Sequence, residues 1–181
     1  MLLAFGGSQG ARALNDALAG WLSREDVPHN LHVIWATGKG GYDDYRQFEG
    51  ERVRVRPYLS PMTDAYAAAD IAIARAGAMG TAELCAWGIP AILIPLPTAA
   101  ADHQSVNADA LARAGAALHI PQRELTADRL DREIRRLLEE PAMRERLAAG
   151  ARSRARPDAA RVIARRLRAL ADDAATAVGT R

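Results

Sequence analysis

Residues 75–108, RAGAMGTAELCAWGIPAILIPLPTAAADHQSVNA, decide the fold of this 181-residue chain. A glycine turn at Gly77 opens a helix that carries Glu83 and stops at Gly88, with Pro90 just beyond. Glycine accepts the left-handed cap and proline cannot continue a helix, so this pair marks an end. Ala91-Ile-Leu-Ile94 then reads as an all-apolar strand, covered on both faces of a sheet. A long loop of small residues, 95–102, leads to a second polar helix. A helix start facing the carboxyl end of a parallel strand is where α/β folds hold phosphates and sugars, because unpaired N–H groups and the helix dipole attract negative charge there.

A matching turn, Phe5-Gly-Gly-Ser-Gln-Gly-Ala-Arg12, follows a short apolar strand at the start of the chain. Two such turns in one domain suggest a nucleotide-linked ligand. Leu14, Leu18 and Leu22 recur at helical spacing behind the first turn. Residues 31–35 and 71–73 read as strands, 52–56 alternates as an edge strand, and 116–120 is the last strand. Ser60 and Pro61 are placed as the N-cap and first residue of a helix to about 69. From 125 onward the pattern is helical only: Thr126 caps one helix, and Pro141 and Pro157 start two more, the last ending near 172. The prediction is an α/β fold, a doubly wound parallel sheet in about 1–120 with a helical carboxyl-terminal tail in about 121–181, all one domain.

Composition sets the limits. Hydrophobic residues make up 49% and charged residues 25%, ordinary for a globular chain, and 181 residues can bury roughly 70% of their unfolded surface. Cys85, the single cysteine, excludes an internal disulfide and reads as a small buried side chain. No apolar run reaches the roughly 18 residues of a membrane span and no secretory leader is evident, which predicts a cytoplasmic protein. Residues 1–120 hold nine basic and twelve acidic side chains, whereas 121–181 hold fifteen and ten. The basic tail interleaves acids at helical spacing and lacks aromatics, so it reads as a solvated, ion-paired face and not as a nucleic-acid surface.

The residues able to do chemistry cluster at the two turns. Gly6-Gly-Ser-Gln-Gly10 can bring backbone amides and the Ser8 hydroxyl to a phosphate, or can be a tight structural turn. It is neither Gly-x-Gly-x-x-Gly nor a Walker loop. Glu83, placed in or near the first turn of its helix, is either a carboxylate favoured by the dipole or a two-oxygen acceptor for the vicinal hydroxyls of a ribose. His103 and Gln104 follow the small-residue loop above the sheet edge, where neutral donors and acceptors suit sugar hydroxyls; a capping cluster is the alternative. No histidine or cysteine spacing fits zinc, no Asp-x-Asp pair is present, and no serine–histidine–aspartate set is evident. No metal, no cofactor and no catalytic residue are predicted.

With these residues in hand, the chain resembles the carboxyl-terminal half of the MurG family, bacterial transferases that add N-acetylglucosamine to lipid I to form lipid II in peptidoglycan synthesis. The resemblance rests on Gly6-Gly-Ser-Gln-Gly-Ala-Arg-Ala-Leu-Asn15, Tyr66-Ala-Ala-Ala-Asp70, Arg75-Ala-Gly-Ala78 with Glu83, Gly88-Ile-Pro90, His103-Gln104 with Asn107-Ala108, and Pro157-Asp-Ala159. It implies the Rossmann-like donor half of a GT-B glycosyltransferase, binding UDP-N-acetylglucosamine and inverting the anomeric centre without a metal. Gly7, Ser8, Gln9 and Gly10 would hold the diphosphate, Tyr58 would cover the uracil, and the Leu59 main chain would read its edge. Glu83 would take the ribose hydroxyls, and His103 and Gln104 the sugar. Arg75, Gly77, Ala78 and Met79 complete the implied donor site.

Gly80, Thr98 and the pair Ala101-Asp102 depart from the family pattern, which bears on the sugar contacts more than on the uridine site. The family's first half, with its acceptor loops and candidate base, does not precede Met1. Donor binding with negligible transfer is therefore expected unless another polypeptide supplies an acceptor domain. That domain would bring lipid I and a peripheral position on the cytoplasmic face of the inner membrane. By the same resemblance, the final basic helix, with Arg161, Arg165 and Arg168 on one face, packs toward that half. A naturally split transferase and a non-catalytic nucleotide-binding module remain the alternatives.

Overall fold

Six short strands, each ending in a turn that starts a helix or a connecting loop, align in parallel in the order β3-β2-β1-β4-β5-β6. They are β1 (Leu2–Phe5), β2 (Val33–Ala36), β3 (Val53–Arg56), β4 (Ile71–Ala74), β5 (Ala91–Leu93) and β6 (Leu118–His119). The computed structural model of the chain describes residues 1–7 and 9–178, with side chains of the last helix described as far as residue 171. The strand order reverses between β1 and β4, so the chain leaves a crevice above their carboxyl ends, the usual ligand position of doubly wound sheets.

β1, β4 and β5 are buried along their whole length, as the uninterrupted apolar runs require, whereas edge strand β3 buries only Val55. The helices are α1 (Arg12–Leu22), α2 (Tyr42–Tyr45), α3 (Met62–Ala68), α4 (Ala78–Trp87), α5 (His103–Arg113), α6 (Ala127–Glu139), α7 (Pro141–Arg154) and α8 (Ala159–Val178). One face of the sheet packs Leu2, Trp35, Ile73 and Ile92 against Leu14, Leu18 and Trp21 of α1 and Leu130, Ile134 and Leu137 of α6. The other packs Leu3, Ala72 and Leu93 against Tyr66 of α3, Leu84 of α4 and Ala108 of α5.

Several local signals act as the residue chemistry dictates. Gly88 takes φ 66° and closes α4 with its N–H on the Cys85 carbonyl, while the Ile89 N–H reaches Leu84. The Thr126 hydroxyl accepts from the Arg129 N–H at 3.0 Å and Pro141 stands at the first position of α7. Three expectations shift. Pro61, not Ser60, is the residue before α3, and no side chain caps that helix. β6 keeps two residues instead of five. The last helix starts at Ala159 and runs to Val178, with Ile163, Leu167 and Leu170 exposed.

The expected ion pairing of the basic tail appears on α6, where Arg129 pairs with Glu133, Arg135 with Asp131 and Arg136 with Glu140. Asp131 does more, since it also accepts from the buried Trp21 indole at 2.9 Å and so ties α6 to α1. Burial pushes the Asp131 carboxyl up, but hydrogen bonds from Arg135 and Trp21 outweigh it and hold the group below the ordinary carboxylate range. A carboxyl depressed by folding stabilises above its unfolded pKa, and that contribution disappears as pH falls through the folded value. Thermal melting should therefore stay level from pH 7 to about 5 and fall below about pH 4. The Asp131→Asn variant should show a shallower acid limb in the same calorimetric series.

Cys85 is 5% exposed and packs against Ala116 and Ala151, and burial raises its thiol pKa. It should resist a disulfide reagent in the native state and react stoichiometrically once urea unfolds the chain. Rapid native labelling would contradict the packing.

Candidate functional site

Both turns at the crevice end in helix starts with no counter-charge of their own. α1 follows Ala11 and α4 follows Gly77; neither has a side-chain cap or an acidic residue in its first turn. Their terminal N–H groups thus point a partial positive charge at the crevice without local compensation. Thr81 adds no cap, because its hydroxyl donates back to the Gly77 carbonyl at 2.9 Å.

The glycines of the first turn divide into two kinds. A side chain at Gly10 would overlap the Thr37 carbonyl, and one at Gly38 would strike the Gly10 and Gln9 backbone; both take positive φ. The β1–α1 and β2–α2 connections therefore pack backbone on backbone, and the structural reading of the turn holds for Gly10. Gly7 is different. It has φ 87°, is exposed, and has nothing within 4 Å of where a Cβ would stand.

Beside Gly7 lies a hollow of about 310 Å³, walled by Phe5, Ala36, Met62, Tyr66 and Gly80 together with four predicted site residues, Tyr58, Leu59, Met79 and Glu83. This is at the small end of ligand-pocket volumes. The Tyr58 and Met79 side chains are 54% and 75% exposed, so apolar surface stands at its mouth without a partner. Glu83 is the sixth residue of α4 and lies in its second turn, which corrects the first-turn placement and removes the reading of a helix-start carboxylate. Instead, one carboxylate oxygen accepts from the Tyr66 hydroxyl at 2.7 Å. Burial is the main cause that raises the Tyr66 phenol pKa, with the Glu83 hydrogen bond adding to it.

The β4–α4 and β5–α5 loops meet next to this hollow. The half-buried Arg75 guanidinium donates to the carbonyls of Ile94 and Pro95, at 3.2 and 3.1 Å. Burial lowers its pKa, and among the described residues it forms no ion pair. Asn107 donates to the Ala76 carbonyl at 3.0 Å and fixes α5 against the same loop. The Gln104 amide oxygen accepts the Leu96 N–H at 3.0 Å, which leaves its NH₂ group to offer. His103 Nδ1 lies 2.7 Å from the Ala100 carbonyl. A carbonyl only accepts, so Nδ1 is the donor in this contact, and in the neutral ring Nε2 is then the acceptor. Ala101 and Asp102 both take positive φ, 49° and 52°, a conformation that costs non-glycine residues about 1–2 kcal/mol each.

Not all predicted residues converge. Gln9 lines a separate hollow of about 150 Å³ beside Thr37 and Tyr45, and Ala78 lines a groove toward Arg154. Arg75 and Gly77 sit on the β4–α4 loop and His103 and Gln104 at the start of α5, and none of the four is in the walls of the Glu83 hollow. Ser8 lies outside the described residues. Among those residues no group of three or more histidine, cysteine, aspartate or glutamate side chains is placed to hold a metal ion, and no helix is long and apolar enough to cross a membrane. Tyr66 also lines the Glu83 hollow, yet in the sequence it stands only as part of the Tyr66–Asp70 segment and carries no predicted role.

A switch-point crevice with two open helix starts, a backbone-exposing glycine and an acidic residue at its wall is the architecture of a doubly wound α/β domain. Comparison with known proteins narrows this. The chain belongs to the glycosyltransferase family 28 C-terminal domain family, whose model matches residues 1–163. It is 45% identical over 174 residues to the UDP-N-acetylglucosamine–N-acetylmuramyl-(pentapeptide) pyrophosphoryl-undecaprenol N-acetylglucosamine transferase of Salinibacter ruber, covering 95% of this chain and 47% of that one. The enzyme of the same name from Sorangium cellulosum is 46% identical over 176 residues, covering 94% and 44%. The crystal structure of Acinetobacter baumannii MurG superposes with a TM-score of 0.77 at 32% identity, over 90% of this chain and 49% of that one. The chain thus spans about half the length of the curated relatives it matches, and its fold is the Rossmann-like α/β fold of one half of a GT-B glycosyltransferase.

Proposed function

We propose that this chain is the donor-binding half of an inverting transferase that moves N-acetylglucosamine from its UDP ester to lipid I, giving lipid II. The observation that carries the reading is the hollow at the switch point, which Glu83, Tyr58, Leu59, Met79 and Gly7 line together. The Leu59 backbone and Tyr58 ring would seat uracil, Glu83 would accept the ribose hydroxyls, and the amides after Gly7 with the α4 start would face the diphosphate. Arg75, a half-buried cation with no carboxylate partner among the described residues, is suited to border that negative charge. His103 Nε2 and the Gln104 amide protons would meet the sugar hydroxyls.

In this reading transfer needs an acceptor-binding half that places a sugar hydroxyl of the lipid-linked acceptor behind the anomeric carbon and takes its proton. This half supplies orientation and holds the leaving diphosphate, and requires no metal. The exposed Ile163, Leu167 and Leu170 on α8 support a partner surface. The assembled enzyme would sit on the cytoplasmic face of the inner membrane. Calorimetric titration of the chain with UDP-N-acetylglucosamine tests the proposal: saturable, magnesium-independent binding is expected, with no lipid II formed until an acceptor half is added. Absence of saturable binding would reject it.

A further inference from the structure

We propose that Tyr66 is a positioning residue that holds the Glu83 carboxylate in the one orientation able to receive both hydroxyls of a vicinal diol. The inference rests on the ribose reading of Glu83 and adds a residue and a selectivity to it. Glu83 is exposed in the second turn of α4, where a glutamate would ordinarily sample several rotamers. The Tyr66 side chain cannot. It is 3% exposed and is packed edge-on to Phe5, with ring centroids 6.0 Å apart, and against Trp87 at 6.2 Å. Its hydroxyl therefore has a fixed position and donates to one Glu83 oxygen at 2.7 Å.

A carboxylate has about four acceptor sites. One is used by Tyr66, which fixes the plane of the group and leaves the second oxygen and the remaining face of the first toward the hollow. Neighbouring hydroxyls on a five-membered ring present two donors side by side, which matches two carboxylate oxygens better than one freely turning acceptor. Tyr66 thereby removes rotamer loss from the binding step, a saving that corresponds to about 3- to 10-fold in affinity per immobilised side chain. The benefit exists only for a ligand that carries the diol.

The test uses uridine diphosphate and its 2′,3′-dideoxy counterpart, titrated calorimetrically into the full chain, Tyr66→Phe, Glu83→Ala and the double variant. Tyr66→Phe keeps the ring packing, and its melting curve checks the fold. It should weaken uridine diphosphate about 3- to 10-fold and leave the dideoxy nucleotide unchanged, and it should add nothing in the Glu83→Ala background. Equal losses on both nucleotides, or full additivity with Glu83→Ala, would overturn the positioning role while leaving the donor-site reading intact. Failure of the unaltered chain to bind uridine diphosphate would overturn both. Independently of any variant, side-chain relaxation by NMR should show Glu83 more ordered than the exposed Glu51. Equal disorder at the two would also overturn the proposal.

Discussion

Replacing Glu83 with alanine is expected to weaken uridine diphosphate by roughly 30- to 150-fold while leaving the melting temperature nearly unchanged. The size follows from what the carboxylate would accept. Two charge-assisted hydrogen bonds are worth about 1.5–3 kcal/mol each, and discounting for the exposed position leaves about 2–3 kcal/mol for the pair. The small effect on stability has a separate cause. Glu83 lies on an exposed helix face, and alanine is the better helix former. The fold loses only the bond from Tyr66, whose hydroxyl borders the open hollow where water can replace the acceptor. Glu83→Gln should fall between the two, since an amide keeps one acceptor oxygen without the charge. Isothermal calorimetry on the three proteins measures this. An alanine variant with unaltered affinity would remove the ribose assignment.

The part of this fold that could be read from the sequence is the part that local chemistry dictates. Gly88 must take a left-handed cap after a helix, Thr126 must accept an N–H at a helix start, and an unbroken Ala-Ile-Leu run must be buried in a parallel sheet; all three hold. The resemblance placed Tyr58, Leu59, Met79 and Glu83 together, and the sheet topology brings them to one hollow. What escaped were contacts between elements. Tyr66 and Glu83 belong to different helices on either side of β4, and nothing in either residue announces the other. Asn15 is a buried amide that receives the Trp35 indole N–H and donates to the Thr37 carbonyl, a network invisible to helical periodicity. Gln9 shows a further gap: residue type within a glycine turn does not fix which way a side chain leaves it. β6 is short because its neighbours Ala116 and Ala117 are buried beside it without joining the ladder.

The first turn was open to two readings, a phosphate cradle or a tight structural bend, and its glycines let the two be separated by experiment. Gly10→Ala should be destabilised by about 3–5 kcal/mol, because positive φ costs alanine about 1–2 kcal/mol and the new methyl group must displace the Thr37 carbonyl. For a chain of this length that corresponds to a fall in melting temperature on the order of 10 °C. Thr37 cannot yield cheaply, since its carbonyl accepts from Asn15 and its N–H donates to the Arg56 carbonyl at 3.0 Å. Gly7→Ala carries the same φ penalty but meets open space, so its melting temperature should drop by only a few degrees. If that space belongs to a diphosphate, the methyl group excludes it. Affinity for uridine diphosphate should then fall by about tenfold or more, with uridine itself little affected. The cradle reading requires that contrast between the two variants. Two glycines with equal effects on stability, and none specific to the phosphates, would leave the turn as a packing device alone.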